Sequence, residues 1–156
     1  MAGGFARGDV LLLIAVLAAF GVADAGYLTY QWYEAADSTW CDLDSYWSCS
    51  AVRESPWASV AGIPTAVVGV AGFAILLILA VAALRGTADL GPWPTDRWIL
   101  LFGILGAAVG AGLTLVEVFV IQAICILCVI GFALDLGILG LAAVLVRGSR
   151  TSRAAG

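Results

Sequence analysis

Four long runs of apolar residues set the main constraint on how this chain can fold. A helix needs about 20 residues to cross the hydrocarbon core of a bilayer, which is about 30 Å thick. The four runs cover roughly residues 10–33, 59–84, 97–121 and 123–146. Hydrophobic residues make up 63% of the 156 residues, well above the ~45–50% that is typical of soluble domains. We therefore predict an all-α integral membrane protein, a single membrane domain (residues 1–156) built as a four-transmembrane-helix bundle.

The third and fourth runs require a turn between them, although no proline marks its position. A single helix from Trp98 to Val146 would be about 70 Å long, which is far more than a bilayer needs. Gln122 is the most polar residue near the middle of this segment, so we place the turn there. The first run lacks a small-residue cleavage site, so we expect it to remain as a signal anchor.

The arginines indicate how the four spans are oriented. If the spans alternate in direction, one end of the bundle carries Arg7, Arg85, Arg97, Arg147, Arg150 and Arg153. The other end receives only Arg53. Because basic residues favour the cytoplasmic side, we expect both termini and the 85–96 loop in the cytoplasm and the 34–56 loop outside. Residues 48–55 of that outer loop are predicted to form a short helix that leads back to the second span.

The composition excludes several kinds of chemistry. The chain has no histidine, so it has no Ser-His or Cys-His nucleophile pair and no imidazole metal site. It has no lysine, and its formal net charge of -4 is opposite to the basic face that binds nucleic acid. Any chemistry must therefore come from cysteines, carboxylates or other polar side chains, or from a bound cofactor.

All four cysteines are predicted to lie at or near the outer end of the bundle. Cys41 and Cys49 are in the outer loop, and Cys125 and Cys128 follow the turn at Gln122. This is the oxidising side of the membrane, where disulfides persist. Two cysteines three positions apart at a helix start share one face, and a helix N-terminus lowers the pKa of a thiol. That arrangement suits reversible oxidation, because a staple across so short a loop removes little entropy from the unfolded chain.

The residues alone leave other interpretations of the cysteines open. Both pairs could be structural disulfides, and four thiols could bind zinc, although C-x7-C is a loose spacing for a zinc half-site. The cysteines could also be buried without chemistry, in a small membrane transporter or a scaffold. The disulfide bond formation protein B family also has four spans and two cysteine pairs, but its C-x-x-C comes first in the chain.

Several motifs together resemble the vitamin K epoxide reductase family in its short bacterial or archaeal form. The first span ends in GVADAGYLTYQWY, which is similar to the family's G-x-x-D-x-x-Y-L-T-Y pattern. The outer loop reads CDLDSYWSC and is followed by Ser55 and the sequence GIP, and CILC opens the fourth span after VEVFVI. The resemblance covers roughly residues 20–132 and implies the cytoplasmic (inner) membrane of a prokaryote.

This resemblance implies a role for each cysteine, since members of the family pass electrons from thiols to a quinone. A reduced thioredoxin-fold partner, here expected to be a separate protein on the extracytoplasmic side, would give electrons to Cys41. Cys49 would relay them to Cys125, and Cys128 would lie nearest the quinone. The implied activity is that of a quinone-dependent thiol:disulfide oxidoreductase that generates disulfides for protein folding and uses no metal.

Two departures from the family pattern favour disulfide generation over vitamin K epoxide reduction itself, which stays an alternative. The fourth position after Cys128 is Phe132, where vitamin-K-reducing relatives have a tyrosine. The asparagine that those relatives place near the second span has no obvious counterpart, and Thr65 is the nearest polar residue. Thr65, Phe132 and Cys128 are therefore the candidate quinone-pocket residues.

Four further residues have candidate supporting roles. Ser55 matches a family serine that is thought to support the loop or a thiolate, and Arg53 would either stabilise a loop thiolate or pair with nearby acids. Asp24 and Glu117 lie within spans, where carboxylates are costly and usually functional or paired. Each is a candidate to relay the protons of quinone reduction, or else to make a structural hydrogen bond. Asp135 also lies within a span, and we assign it no role.

Overall fold

The helices that the apolar runs predict are present in the structure, a computed structural model that describes residues 6–34 and 40–154. In chain order the helices are α1 (Arg7–Glu34), the short α2 (Cys49–Arg53), α3 (Thr65–Leu84), α4 (Thr95–Val116), the π-helical turn Glu117–Ile121 that extends it, and α5 (Ile126–Ala154). Within the described residues, four helices are long and apolar enough to cross a membrane. The predicted four-span fold, with a short helix between the first two spans, is therefore confirmed.

The bundle is organised around α1, which packs against both α3 and α5, while α4 packs against α5 and α3. Its core consists of apolar side chains, many of them small, and its fully buried members include Ile14, Ala18, Ala80, Ile99, Ile138 and Ala142. Lipid tails are as apolar as this core, so close packing rather than the hydrophobic effect holds membrane helices together. Small side chains serve that packing because they let helix backbones approach each other.

The two ends of the bundle differ in their polar groups. We call the end where α1 and α4 begin the arginine end, and the opposite end, which carries α2, the cysteine end. At the arginine end the buried Asp96 carboxylate accepts hydrogen bonds from Arg7 Nη2 and from Ser149 Oγ, both at 2.7 Å. Because these residues belong to α4, α1 and α5, the cluster joins three of the spans at this end.

A small β-hairpin precedes each of the helices α3 and α4. The antiparallel strands are β1 (Ser59–Val60), β2 (Ile63–Pro64), β3 (Asp89–Leu90) and β4 (Trp93–Pro94). In the first hairpin Ala61 and Gly62 both have positive φ angles, of 52° and 82°, as a two-residue turn that matches strand twist requires. Residues 59–64 therefore form this hairpin, and the second span begins at Thr65 rather than at the predicted residue 59.

Gly21 allows α1 and α3 to approach closely at the position of Phe73. Gly21 is buried in α1, and Phe73 is buried in the main core. A Cβ atom built at Gly21 would overlap the Phe73 ring, so this contact accepts glycine and no larger residue without rearrangement.

We expect Gly21→Ala to destabilise the bundle, because the added methyl group must displace a buried aromatic ring. Overpacking of this kind costs about 1–3 kcal/mol, which lowers the unfolding temperature of the purified protein in detergent. Gly140→Ala is the matched control, since a Cβ atom there meets nothing within 4 Å. Equal unfolding temperatures for the two variants would contradict the close approach of α1 and α3.

Candidate active site

The segment between the two loop cysteines folds into a tight turn because Asp44 binds the backbone that follows it. Its Oδ1 accepts hydrogen bonds from the N–H groups of Tyr46 (2.7 Å) and Trp47 (2.8 Å), as aspartate commonly does in turns. These two hydrogen bonds lower the pKa of the Asp44 carboxyl group below its ordinary value, and the bond from Trp47 has the larger effect. The Leu43 N–H also donates to the Trp47 carbonyl at 2.9 Å. The chain thus reverses direction between the two cysteines.

A second aspartate, Asp42, joins the start of this loop to the start of α2. Its carboxylate accepts hydrogen bonds from the Ser48 hydroxyl (2.9 Å), the Ser50 N–H (3.0 Å) and the Ser50 hydroxyl (2.5 Å). Ser48 is also the N-cap of α2, where its hydroxyl accepts from the Ala51 N–H at 3.1 Å, a favoured use of serine. These hydrogen bonds hold the two ends of the loop together, in addition to the disulfide between Cys41 and Cys49.

Cys41 and Cys49 form a disulfide, with their Cα atoms 5.8 Å apart. Both are buried, Cys41 to 1% exposure and Cys49 to 4%. Together with Cys125 and Leu127 they form an apolar cluster that is distinct from the main core of the bundle. The cysteine end therefore has a small core of its own, built around sulfur atoms.

The predicted turn at Gln122 is present, and it brings the second cysteine pair to this cluster. Gln122 has a φ angle of 60°, in the left-handed region, and its N–H donates to the Glu117 carbonyl. The Ala123 N–H donates to the same carbonyl at 3.2 Å. The chain thus leaves α4 through a π-helical turn and reverses direction within a few residues.

Ile124 then pairs with the loop instead of entering the helix. The Ile124 N–H donates to the Tyr46 carbonyl at 2.7 Å, and the Ser48 N–H donates to the Ile124 carbonyl at 3.1 Å. The fourth span therefore begins at Ile126, not at the predicted residue 123. The physical reason is that the backbone groups of Ile124 are engaged outside the helix. As a consequence, Cys125 lies just before α5 rather than within it.

Three sulfur atoms meet at the centre of the cluster. Cys125 Sγ lies 2.8 Å from Cys49 Sγ, which is itself bonded to Cys41. Cys125 and Cys128 are free thiols, the first buried and the second half-buried. The backbone N–H groups of Leu127 and Cys128 are hydrogen-bonded to the Cys125 sulfur, and such donation favours a thiolate. Cys125 is therefore placed for sulfur exchange with Cys49.

Glu117 brings a carboxyl group to the C-x-x-C segment. It is only 3% exposed, its Oε2 accepts from the Cys125 N–H at 3.1 Å, and the Cys128 thiol is within hydrogen-bonding reach. Asp24, the other candidate relay, is half-buried and lies beside Gly131, where an added Cβ atom would be 3.0 Å from Asp24 Oδ2. The structure thus brings Glu117 into contact with the cysteines and places Asp24 beside α5 one turn further along.

Ser55 and Arg53 contact the backbone around the loop helix. The Ser55 hydroxyl donates to the Val52 carbonyl at 2.7 Å, near the end of α2. Arg53 Nη1 donates to the Gln31 carbonyl of α1 at 3.4 Å, and Arg53 Nη2 lies 4.0 Å from Glu54. Arg53 therefore ties α2 to the end of the first span, while Ser55 closes the end of α2.

The three candidate quinone-pocket residues lie in different surroundings. The Thr65 hydroxyl donates to a carbonyl of the preceding 3-10 turn (Pro56–Ala58) at 3.1 Å, which fixes the start of α3. Phe132 lies one turn beyond Cys128 and packs where Gly110 of α4 leaves room for its ring. Cys128 is half-buried and is followed by two exposed apolar residues. Cys128 and Phe132 therefore lie one turn apart on α5, whereas Thr65 lies at the start of α3.

The sequence analysis did not single out three residues that shape this site, which are Asp42, Asp44 and Ile124. Asp42 has a weak signal, an acid directly after the first loop cysteine and a few residues before a pair of serines. Ile124 has none, because it acts through its backbone groups. Within the described residues, no set of three or more His, Cys, Asp or Glu side chains is arranged to hold a metal ion.

We expect the double variant Cys41→Ser/Cys128→Ser to accumulate a disulfide between Cys49 and Cys125. The substitutions free Cys49, whose sulfur already lies beside that of Cys125, and they remove the two thiols that could resolve the new bond. Mass spectrometry of alkylated peptides after mild oxidation measures the link. The link should be absent in the control, in which Cys125→Ser is added to the double variant. Full alkylation of Cys49 in the double variant would contradict the sulfur arrangement.

A comparison with models of known protein families assigns the chain independently of its geometry. The vitamin K epoxide reductase family matches residues 12–143. The match extends over most of the chain and includes both cysteine pairs, the loop helix and the turn at Gln122. This protein therefore belongs to the vitamin K epoxide reductase family, an oxidoreductase family whose members generally use a quinone.

Proposed function

We propose that this protein is a membrane thiol oxidoreductase that passes electrons from a reduced thioredoxin-fold protein to a quinone. The observation that carries the proposal is the 2.8 Å separation of Cys49 Sγ and Cys125 Sγ, beside the Cys41–Cys49 disulfide. Thiol–disulfide exchange requires one sulfur atom to reach another. This contact joins the loop pair, Cys41 and Cys49, to the helix pair, Cys125 and Cys128. The contact is buried, which favours transfer between the pairs over reaction with other thiols.

The internal transfer balances as two exchange steps. A Cys49 thiolate attacks Cys125 of a Cys125–Cys128 disulfide, and Cys128 leaves with the electron pair and takes up a proton. A Cys41 thiolate then attacks Cys49, forms the loop disulfide and releases Cys125, which takes up the second proton. The net result moves two electrons and two protons from the loop pair to the helix pair. A loop disulfide beside two free thiols, as observed here, corresponds to the product of this transfer.

Cys128 and Phe132 would hold the quinone at the lipid-facing side of α5. A quinone accepts two electrons and two protons, so it can take up what the two thiols release when they form a disulfide. The acceptor is soluble in lipid, which explains why a reactive C-x-x-C pair is placed at the start of a span. Phe132 offers an apolar ring and no hydroxyl group, which supports disulfide generation rather than epoxide reduction.

The electron donor on this proposal is a separate thioredoxin-fold protein. A strongly oxidising protein of that fold has a reduction potential of about −120 mV, and a quinone pool at a more positive potential makes its reoxidation favourable. Cys41 is only 1% exposed, so the loop must open before a partner thiol can reach it. The exposed side chains of Leu43 and Tyr46 give the turn between the two cysteines an apolar surface for that encounter.

We place the cysteine end outside the cytoplasmic membrane of a prokaryote, because the arginine end matches the cytoplasmic pattern of basic residues. The 156-residue chain fused at its C-terminus to green fluorescent protein should fluoresce, and the same fusion to alkaline phosphatase should be inactive. Phosphatase fused after residue 55 should be active, since that position lies in the outer loop. The reverse pattern would place the cysteines in the cytoplasm and exclude disulfide export.

The purified protein in detergent should reduce a quinone without oxygen when a reduced thioredoxin-fold protein is supplied. Cys128→Ala should abolish this turnover, because it removes the thiol nearest the acceptor. Cys41→Ala should remove only the partner-driven reaction and leave turnover with dithiothreitol, which can reduce the helix pair directly. Quinone absorbance measures all three reactions.

Two results would contradict the proposed function. One is a wild-type protein that is inert with several quinones and several donors. The other is a Cys128→Ala variant that turns over at the wild-type rate. Either result would leave the family membership intact and favour a scaffold or transporter with structural disulfides.

A further inference from the structure

The turn that follows α4 holds the buried Glu117 through both its side chain and its main-chain carbonyl. Its side chain accepts the Cys125 N–H at 3.1 Å, and its main-chain carbonyl accepts the N–H groups of Gln122 and Ala123. Glu117 is also the first residue of the π-helical turn, a distortion that is frequent at functional sites. The position of this carboxyl group is therefore fixed at both ends of the residue, next to the C-x-x-C segment.

The Cys128 thiol is a second neighbour of this carboxyl group, and it carries a proton that a carboxylate can accept. The two side chains are within hydrogen-bonding reach of each other, and Cys128 is also the more accessible of the two free thiols. The other titratable group that faces Glu117 is Cys125, which lies just before α5. The loop helix α2, which packs on the π-helical turn, contributes Cys49, which is held in the disulfide, and Arg53, which reaches to α1.

The remaining acids of the apolar spans lie elsewhere in the bundle. Asp24 lies beside Gly131, one turn beyond Cys128. Asp135 lies two turns beyond Cys128, against Gly106 of α4, and its Oδ2 is buried without a hydrogen-bond partner among the described residues. Of these three acids, Glu117 is thus the one whose side chain meets the C-x-x-C segment.

We propose that Glu117 is a catalytic residue that accepts the proton of the Cys128 thiol when this pair is oxidised. The inference rests on the proposed function. It identifies the group that accepts the thiol proton in the last step, the oxidation of Cys125 and Cys128 by the quinone. The Sγ–H bond of Cys128 breaks, an O–H bond forms on a Glu117 oxygen, and the electron pair stays on sulfur. The Cys125–Cys128 disulfide bond forms as two electrons pass to the quinone, which takes up two protons, one held by Glu117 and one from the Cys125 thiol. Base catalysis of this kind contributes about 10²–10⁴-fold in rate.

Glu117→Gln tests this role because it separates proton transfer from structure. The glutamine amide oxygen can still accept the Cys125 N–H, so the turn should stay intact, but the amide cannot accept the thiol proton. Asp135→Asn is the matched control, another buried acid of a span that lies away from the sulfur atoms. Unfolding temperatures in detergent check that both variants keep the fold.

Two readouts apply, and the first needs no quinone. Alkylation of Cys128 by iodoacetamide, followed by mass spectrometry at pH 7 to 9, should be at least about tenfold slower at pH 7 in Glu117→Gln than in wild type. It should then rise by about tenfold per pH unit, because hydroxide must replace the missing base. Quinone reduction driven by dithiothreitol should fall by about 100-fold with the same pH dependence. Asp135→Asn should stay within about twofold of wild type in both assays.

An opposite change would overturn the inference. If Glu117 acts only as a negative neighbour of the thiol, its neutralisation makes the thiolate easier to form, and alkylation at pH 7 becomes faster in Glu117→Gln. Alkylation equal to wild type, or an equal slowing at every pH in a variant with lowered unfolding temperature, also rejects a proton-accepting role. A wild-type protein that is inert with quinones would reject the proposed function, while the alkylation assay would still decide the role of Glu117.

Discussion

Two hydrogen bonds between main-chain groups set the geometry on which the whole cysteine end depends. The Ile124 N–H donates to the Tyr46 carbonyl, and the Ser48 N–H donates to the Ile124 carbonyl. Each such bond stabilises a fold by only about 0.5–1.5 kcal/mol, but together they fasten a water-facing loop to a turn between two spans. Cys49 follows one of these residues and Cys125 follows another, so the bonds bring two distant parts of the chain to sulfur contact.

The turn that takes part in this pairing is irregular backbone at the edge of a membrane, where unpaired N–H groups are costly. Every N–H group from Gln122 to Cys125 nevertheless has a partner. Gln122 and Ala123 donate to the Glu117 carbonyl, Ile124 donates to Tyr46, and Cys125 donates to the Glu117 side chain. Glu117 thus accepts three of these four N–H groups and so stabilises the turn. The same residue supplies the carboxyl group of the candidate active site.

On the proposed function, the arrangement of the two pairs suits the different places where their reactants would be found. The loop pair would meet a protein thiol from water, on a segment that Asp42 and Asp44 hold in a defined shape. The helix pair would meet a quinone from lipid, at the start of α5. The sulfur contact between Cys49 and Cys125 joins the two pairs.

The sequence by itself determined the membrane class, the four spans, the turn at Gln122 and the placing of all four cysteines at one end. These features follow from apolar run length and from the alternation of spans, which are local or additive properties of a chain. The helix ends were less predictable, because the hairpin at residues 59–64 and the pairing of Ile124 depend on partners elsewhere. Only the tertiary structure distinguished Glu117 from Asp24, which look alike as acids within a span. Their difference is a matter of which backbone and sulfur atoms they meet, and that is decided by how the loop, the turn and α5 pack together.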